Sequence, residues 1–237
     1  MRFRRASLET CERAGGVVVV IDVLRAFSTA AYAFAAGARD ISLVSTVAEA
    51  LALRERSPGL RLMGEADGLR IPGFDFSNSP AEVTAADLRG LSLVQRTSAG
   101  TQGVVRSRQA VQILAASFCN ARATVNYLGR LAPEEVTFVI TGMRPGLIRP
   151  GGPGSWGDED AACAEYLEAL LSGETPDPGP YLERVTQSAP GELFTDPARP
   201  EFAAADLDLC LALDRFDFAM PVYREDGQLR IRPDPPP

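Results

Sequence analysis

The chain has 237 residues, 46% hydrophobic and 23% charged, enough for one large α/β core or two small ones. A formal charge of −7 argues against a general nucleic-acid surface, which needs clustered cations. Histidine is absent, which excludes a Ser-His-Asp triad, a Cys-His dyad, a phosphohistidine intermediate and His-ligated zinc within the chain.

Residues 1–15 are polar and basic and predict an opening strand and loop. The run Val17-Val18-Val19-Val20-Ile21 predicts a strand buried on both faces, as inside a parallel sheet. Asp22 ends that run, Arg25 follows, and an Ala-rich helical pattern covers 27–38. An acid and a base at the carboxyl end of a central strand sit where open α/β sheets bind ligands; the plainer alternative is a helix-capping Asp and a solvated Arg. A second strand is expected at 40–44, then a helix opened by Thr46-Val47-Ala48-Glu49 as a capping box and closed near Ser57-Pro58-Gly59. A short strand at 60–63 leads to Gly64-Glu65, again an acid at a strand end.

The stretch 73–82 is a loop by its Gly, Asn, Ser and Pro content, suited to cradling a ligand or to satisfying turn backbone. A strand at 91–95 runs into Arg96-Thr97-Ser98-Ala99-Gly100-Thr101-Gln102-Gly103, where hydroxyls and free amides at a helix start favour anions. That loop matches neither a Walker loop nor a dinucleotide fingerprint. Further on come a strand at 110–116 ending at Ser117-Phe118-Cys119-Asn120, a helix to 131, a strand at 135–141 and a Gly/Pro-rich loop at 142–157. Asp158-Glu159-Asp160 then opens an amphipathic helix, where first-turn acids also suit the helix dipole. A linker at 176–180, helices near 181–188 and 203–212 and a strand at 218–222 complete the pattern, with fraying expected from 232. The recurring strand, polar loop and helix predict a three-layer α/β/α sandwich with a largely parallel or mixed central sheet. One domain over 1–222 is expected, with a division into sublobes near 130–150 left open and 223–237 as a polar tail.

Lysine is also absent, so every cationic side chain is an arginine, a rigid fork suited to phosphate, sulfonate or carboxylate; a GC-rich genome gives the same bias without function. Cys11, Cys119, Cys163 and Cys210 are far apart and, with no signal-peptide pattern and no apolar run near ~20 residues, read as reduced cytoplasmic thiols in the core. Chemistry therefore rests on carboxylates, hydroxyls, thiols, arginine and amides, with a hard metal ion. Asp22 is expected as a metal ligand or as the attacking or activating carboxylate. Arg25 and Arg96 are expected on the substrate's anionic groups, with Thr97, Ser98, Gly100 and Thr101 adding hydroxyls and amides. Glu65, Glu82, Glu159 and Asp160 each follow a strand or a Gly-rich loop, and at least two should lie within reach of Asp22 around a divalent site.

Taken as a set, Val20-Ile21-Asp22-Val23-Leu24-Arg25-Ala26, Gly64-Glu65, Gly73-Phe74-Asp75, Asn78-Ser79-Pro80-Ala81-Glu82, Arg96-Thr97-Ser98-Ala99-Gly100-Thr101, Ala116-Ser117-Phe118 with Asn120, and Glu159-Asp160 with Cys163-Ala164 resemble the 2-phosphosulfolactate phosphatases, the ComB-like proteins. Asp206, Cys210 and Asp214 ahead of Pro221 resemble their C-terminal pattern, so the similarity spans roughly residues 16–222. The resemblance implies a Mg²⁺-dependent hydrolase that takes 2-phospho-3-sulfolactate to 3-sulfolactate and phosphate, a step toward coenzyme M. It implies catalytic roles at Asp22, Arg25, Glu65, Thr97 and Ser98, and metal ligands at Asp22, Glu65, Glu159 and Asp160. Substrate contacts are implied at Arg25, Asn78, Ser79, Arg96, Gly100, Thr101 and Asn120. The sequence departs from the family in Ala99 where an Asn is usual, in a longer loop over 143–156, and in Glu165 where a Gly commonly follows Cys-Ala. Alternatives are a same-fold phosphatase for another small phosphorylated acid, or a non-catalytic anion-binding domain. The partner expected is a small anionic substrate, without nucleic acid or membrane, and a homodimer is left open.

Overall fold

The structure is a computed structural model that describes residues 1–142 and 156–235. Ten strands form one sheet: β1 (Arg2–Ser7), β2 (Gly16–Ile21), β3 (Asp40–Leu43), β4 (Arg61–Ala66), β5 (Leu69–Arg70), β6 (Ser92–Arg96), β7 (Ala110–Ala116), β8 (Glu135–Ile140), β9 (Met220–Glu225) and β10 (Gln228–Ile231). Their spatial order is β1-β8-β2-β7-β9-β10-β3-β6-β4-β5. Two parallel groups, β1-β8-β2-β7 and β3-β6-β4, are joined through the antiparallel hairpin β9–β10. Nine α-helices are described: α1 (Ala26–Ala35), α2 (Val47–Arg56), α3 (Pro80–Thr84), α4 (Gly100–Arg106), α5 (Ala121–Leu131), α6 (Asp158–Leu171), α7 (Gly179–Gln187), α8 (Ala189–Glu192) and α9 (Ala204–Cys210).

The valine run of β2 shows why both faces are covered. Val18 and Val20 pack in the cluster that holds α1 and Val104 of α4, while Val19 and Ile21 pack with α5 and α6 on the opposite face. Each such side chain, fully buried, contributes on the order of 1.5–3 kcal/mol of transfer free energy. The expected mixed α/β architecture with helices on both faces is therefore present. No helix among the described residues is long and apolar enough to cross a membrane.

Three antiparallel steps separate β7 from β3, so the two parallel groups run in opposite directions. On a flat sheet, the carboxyl ends of β2 and β6 would lie on opposite edges. Instead, Gln95 near the end of β6 donates from Nε2 to the carbonyl of Ala26, just past β2, at 2.8 Å. That contact brings the two strand ends together at the start of α1, whose residues from Ala26 to Phe34 are all buried. The ends that meet here thus belong to groups of opposite direction, unlike those at the switch point of a doubly wound parallel sheet.

Residues 223–231 correct the expectation of a polar tail. They continue β9 and form β10 in the middle of the sheet, joined by a two-residue turn at Asp226-Gly227 with φ of 51° and 74°. A similar turn, Asp67-Gly68 with φ of 53° and 82°, joins β4 to the unforeseen β5. Both are the Asp-Gly signature of a type I′ hairpin. The capping box at α2 forms as expected: Thr46 Oγ1 accepts from the Glu49 amide at 3.1 Å, and Glu49 accepts from the Thr46 amide at 3.2 Å. The expected loop over 143–156 lies outside the described residues except for Trp156.

Candidate active site

Asp22 directly follows β2 and is 5% exposed. Its Oδ1 accepts from the Ala26 amide at 2.9 Å, so the carboxylate also caps the start of α1, and the capping alternative is realised together with a place in a cavity. Gly100 opens α4 close against it: a Cβ there would stand 2.7 Å from Asp22 Oδ2 and 2.7 Å from Ala26 Cβ. Only glycine allows that approach, which fixes the loop after β6 against the end of β2.

Asp160, in the first turn of α6, is 1% exposed and reaches away from its own helix. It accepts from the amides of Val23 at 2.8 Å and Gly142 at 2.9 Å and from Thr141 Oγ1 at 3.1 Å. These donors follow β2 and β8, so Asp160 ties α6 to two strand ends. Glu159 instead accepts from the neighbouring Gly157 amide at 3.1 Å, as a first-turn acid does. Glu65, on β4, is held by the amide of Ser98, by Ser98 Oγ at 3.1 Å and by the Gly68 amide of the hairpin turn at 2.7 Å.

Asp22, Glu65, Glu159 and Asp160 all line one cavity of about 250 Å³. Glu82 does not join them. It accepts from Arg70, Ser77 and the Ser77 amide, and these donors hold its carboxyl below the usual range despite partial burial. Burial pushes Asp22 up to about 6, and the charge of Glu65 adds to it. Burial and then the charge of Asp22 raise Asp160 to about 8. Glu159 is pushed well above the usual range by burial and by Asp160. Gathered carboxylates of this kind are stabilised in their charged form by a cation. Among the described residues no three acids converge tightly enough to hold an ion by themselves. The donor set thus fits a hard divalent ion bound by one or two carboxylates and water, not a closed protein cage.

Arg25 also lines the cavity, with a charge opposite to that of the acids. It is 5% exposed, donates from Nη1 to Asp206 Oδ2 at 2.7 Å, and stacks on Phe194 and Phe202 at 5.3 and 5.2 Å from their centroids. Asp206 in turn accepts from Ser79 Oγ at 2.7 Å and the Ala81 amide at 2.9 Å, so α9 locks Arg25 and the start of α3 together. Asn78, 4% exposed, also lines the cavity, and its Oδ1 has no partner among the described residues.

Other predicted residues lie behind this wall. Arg96 donates from Nη1 to the Glu65 carbonyl at 2.7 Å and from Nε to the Ser45 carbonyl at 3.4 Å, bracing the strand that carries Glu65. Thr97 and Thr101 bond each other across the start of α4, with the Thr97 amide donating to Thr101 Oγ1 at 2.9 Å. Ser79 caps α3, accepting from the Glu82 amide at 3.2 Å, and Asn120 Oδ1 accepts from the Ser117 amide at 3.1 Å. None of Arg96, Thr97, Thr101, Ser79, Gly100 or Asn120 is among the described residues that line the cavity, whereas Ser98 and Ala99 are. Glu165, the third departure, pairs with Arg184, which also holds Asp158 at 2.6 Å and so ties α6 to α7. Sequence reading missed Asp206 as the partner of Arg25, and missed Phe194, Arg199 and Phe202. An acid in a short helix and aromatics in an irregular stretch carry no periodic signal; the resemblance at Asp206 was the one available pointer.

A sequence model of the family described as 2-phosphosulpholactate phosphatase matches residues 4–225. A probable 2-phosphosulfolactate phosphatase of Bacillus subtilis is 34% identical over 212 residues, 89% of this chain and 88% of that protein. One from Carboxydothermus hydrogenoformans is 32% identical over 90% of this chain and 89% of its own length, and one from Deinococcus radiodurans is 40% identical over 65% and 62%. The match runs through every strand end that lines the cavity, and the chain belongs to the 2-phosphosulpholactate phosphatase family of phosphoric monoester hydrolases.

Proposed function

We propose that this protein hydrolyses 2-phospho-3-sulfolactate to 3-sulfolactate and phosphate with Mg²⁺ as its cofactor. The observation that carries this reading is a single cavity lined by buried acids and by arginine. Glu159 and Asp160, with water, would hold the ion, which offsets phosphoryl charge as a Lewis acid when bound. Asp22 accepts the proton of the attacking water as the water oxygen bonds to phosphorus. The bond from phosphorus to the C2 oxygen breaks, and that oxygen takes up a proton to give the hydroxyl of the product. Arg25, fixed by Asp206, holds an anionic group of the substrate in a constant orientation, which lowers the entropic part of the barrier. Glu65, locked by Ser98 and the 67–68 turn, keeps the acidic wall in register.

Phosphate release from 2-phospho-3-sulfolactate, measured with Mg²⁺ and again with excess EDTA, tests the reading. Rapid metal-dependent release supports it, and equal release with and without chelator removes the cofactor from it. Ala99 favours a second reading, because it lines the cavity where the family usually carries an Asn amide. That reading is the same hydrolysis on another small phosphorylated acid. A higher kcat/KM for 2-phospholactate than for the sulfonate would select it.

A further inference from the structure

Among the described residues that line the cavity, the positively charged side chains are Arg25 and Arg199. Arg25 is already neutralised by Asp206, a partner that is 1% exposed and therefore well shielded from water. Arg199 is different. Its side chain is 40% exposed and its partner, Glu201, is 28% exposed, with Nε donating to Glu201 Oε1 at 2.6 Å. An exposed pair of this kind contributes little and exchanges readily for another anion. The ring of Phe202 joins the two arginines, with the Arg25 and Arg199 guanidinium carbons 5.2 and 5.0 Å from its centroid. Phe194 stands edge-on to Phe202 at 5.4 Å, and Pro190 and Leu193 extend the apolar wall. The same cavity is lined by Asp22, Glu65, Glu159 and Asp160, which repel any anionic group that neither a cation nor an arginine holds.

We propose that Arg199 is a specificity-determining residue, forming with Arg25 and the face of Phe202 the subsite for a second anionic group of the substrate, one of its two non-reacting ones. The inference rests on the phosphatase reading above and goes beyond it, because it says which end of the cavity takes the sulfonate or carboxylate. The reacting phosphoryl group lies against the acids, and the second anion displaces Glu201 from Arg199. Arg199 thus does what the sequence had suggested for Arg96, which instead braces β4 from behind.

The test compares two esters on the same enzyme, 2-phospho-3-sulfolactate and ethyl phosphate, which lacks both the carboxylate and the sulfonate. Arg199→Gln is expected to raise KM for the sulfonated ester about 10-fold, the lower end for a hydrogen bond to a charged group, and to leave KM for ethyl phosphate unchanged. Glu201→Gln is expected to move KM for the sulfonated ester the other way, because it removes the competing carboxylate. Equal changes for both esters, or none in either variant, overturn the subsite. Titration calorimetry with 3-sulfolactate reads it without turnover: weaker binding to Arg199→Gln supports it, and unchanged binding overturns it. If the wild type releases no phosphate from either ester, the hydrolase reading fails, while the calorimetry still decides the subsite. Both positions are partly exposed, and an unchanged melting temperature separates a binding effect from a folding one.

Discussion

The two sides of the cavity are built by different means. Its acids stand at strand ends or in the first turn of a long helix, and backbone amides from neighbouring elements hold them, as Val23 and Gly142 hold Asp160. Its arginines and aromatics are held by side chains, with Asp206, Phe194, Arg199 and Phe202 coming from α9 and the irregular stretch before it. An amide donor is fixed by the sheet itself, whereas the exposed carboxylate partner of Arg199 can be exchanged. The contrast implies that chemistry resides on the rigid side and substrate choice on the adjustable one.

Asp22→Asn is the largest test of that contrast. It keeps the shape of the residue, removes a proton acceptor, and is expected to lower kcat by roughly 10²–10⁴-fold with KM little changed, measured by phosphate release. On the adjustable side, Asp206→Ala leaves Arg25 buried without its carboxylate, at a cost of about 3–5 kcal/mol in unfolding free energy. Denaturant unfolding measures that cost, and a loss below about 1 kcal/mol would show that Arg25 does not depend on Asp206.

The third prediction sharpens the electrostatics of the acidic side. Asp22 and Asp160 have carboxyl groups raised to about 6 and about 8 in the folded protein. Folding therefore favours their protonated forms. That contribution to stability is complete below the ordinary carboxyl value and is lost as pH rises through about 6 and then about 8. Metal-free protein should show a melting temperature that falls over this window. Mg²⁺ at 100 times its pH 8 dissociation constant should restore about 2.7 kcal/mol at pH 8, and the same concentration should raise the melting temperature less at pH 5. A rise of equal size at both pH values would separate ion binding from these acids.

Gly100→Ala comes next, at about 1–3 kcal/mol, because the added methyl meets Asp22 and Ala26 within van der Waals distance. Both melting temperature and turnover should fall. The smallest effect belongs to a site remote from the cavity. Thr46→Ala removes the cap of α2 and should cost about 1 kcal/mol in thermal unfolding without changing kcat/KM.

Much of the acidic side was legible from sequence because strands and their ends announce themselves. The run from Val17 to Ile21 alternates its side chains between two buried faces, and an acid that breaks such a run stands out. Thr46 and Glu49 declare a helix start by spacing alone. Glu82 was misjudged for the converse reason: an acid after a Gly-rich loop looks the same whether it faces a cavity or, as here, Arg70 and Ser77. Arg199 and Phe202 gave no pattern, since irregular backbone has no period. The hairpin of β9 and β10 was different again. Its Asp226-Gly227 turn is a strong local signal, masked by polar flanking residues such as Arg224, Glu225 and Gln228 that suggested a tail.

That hairpin gives the molecule an order of assembly. Strands β7 and β3 belong to separate parallel groups, and each presents an unpaired edge until residues 220–231 are inserted between them. During synthesis both groups emerge before residues 220–231, so β7 and β3 wait with open edges for the strands that cover them. Removing residues 223–237, expected from sequence as a polar tail, would leave those edges exposed. It would also leave the group that carries Asp22 and the group that carries Glu65 without the hairpin that joins them in one sheet.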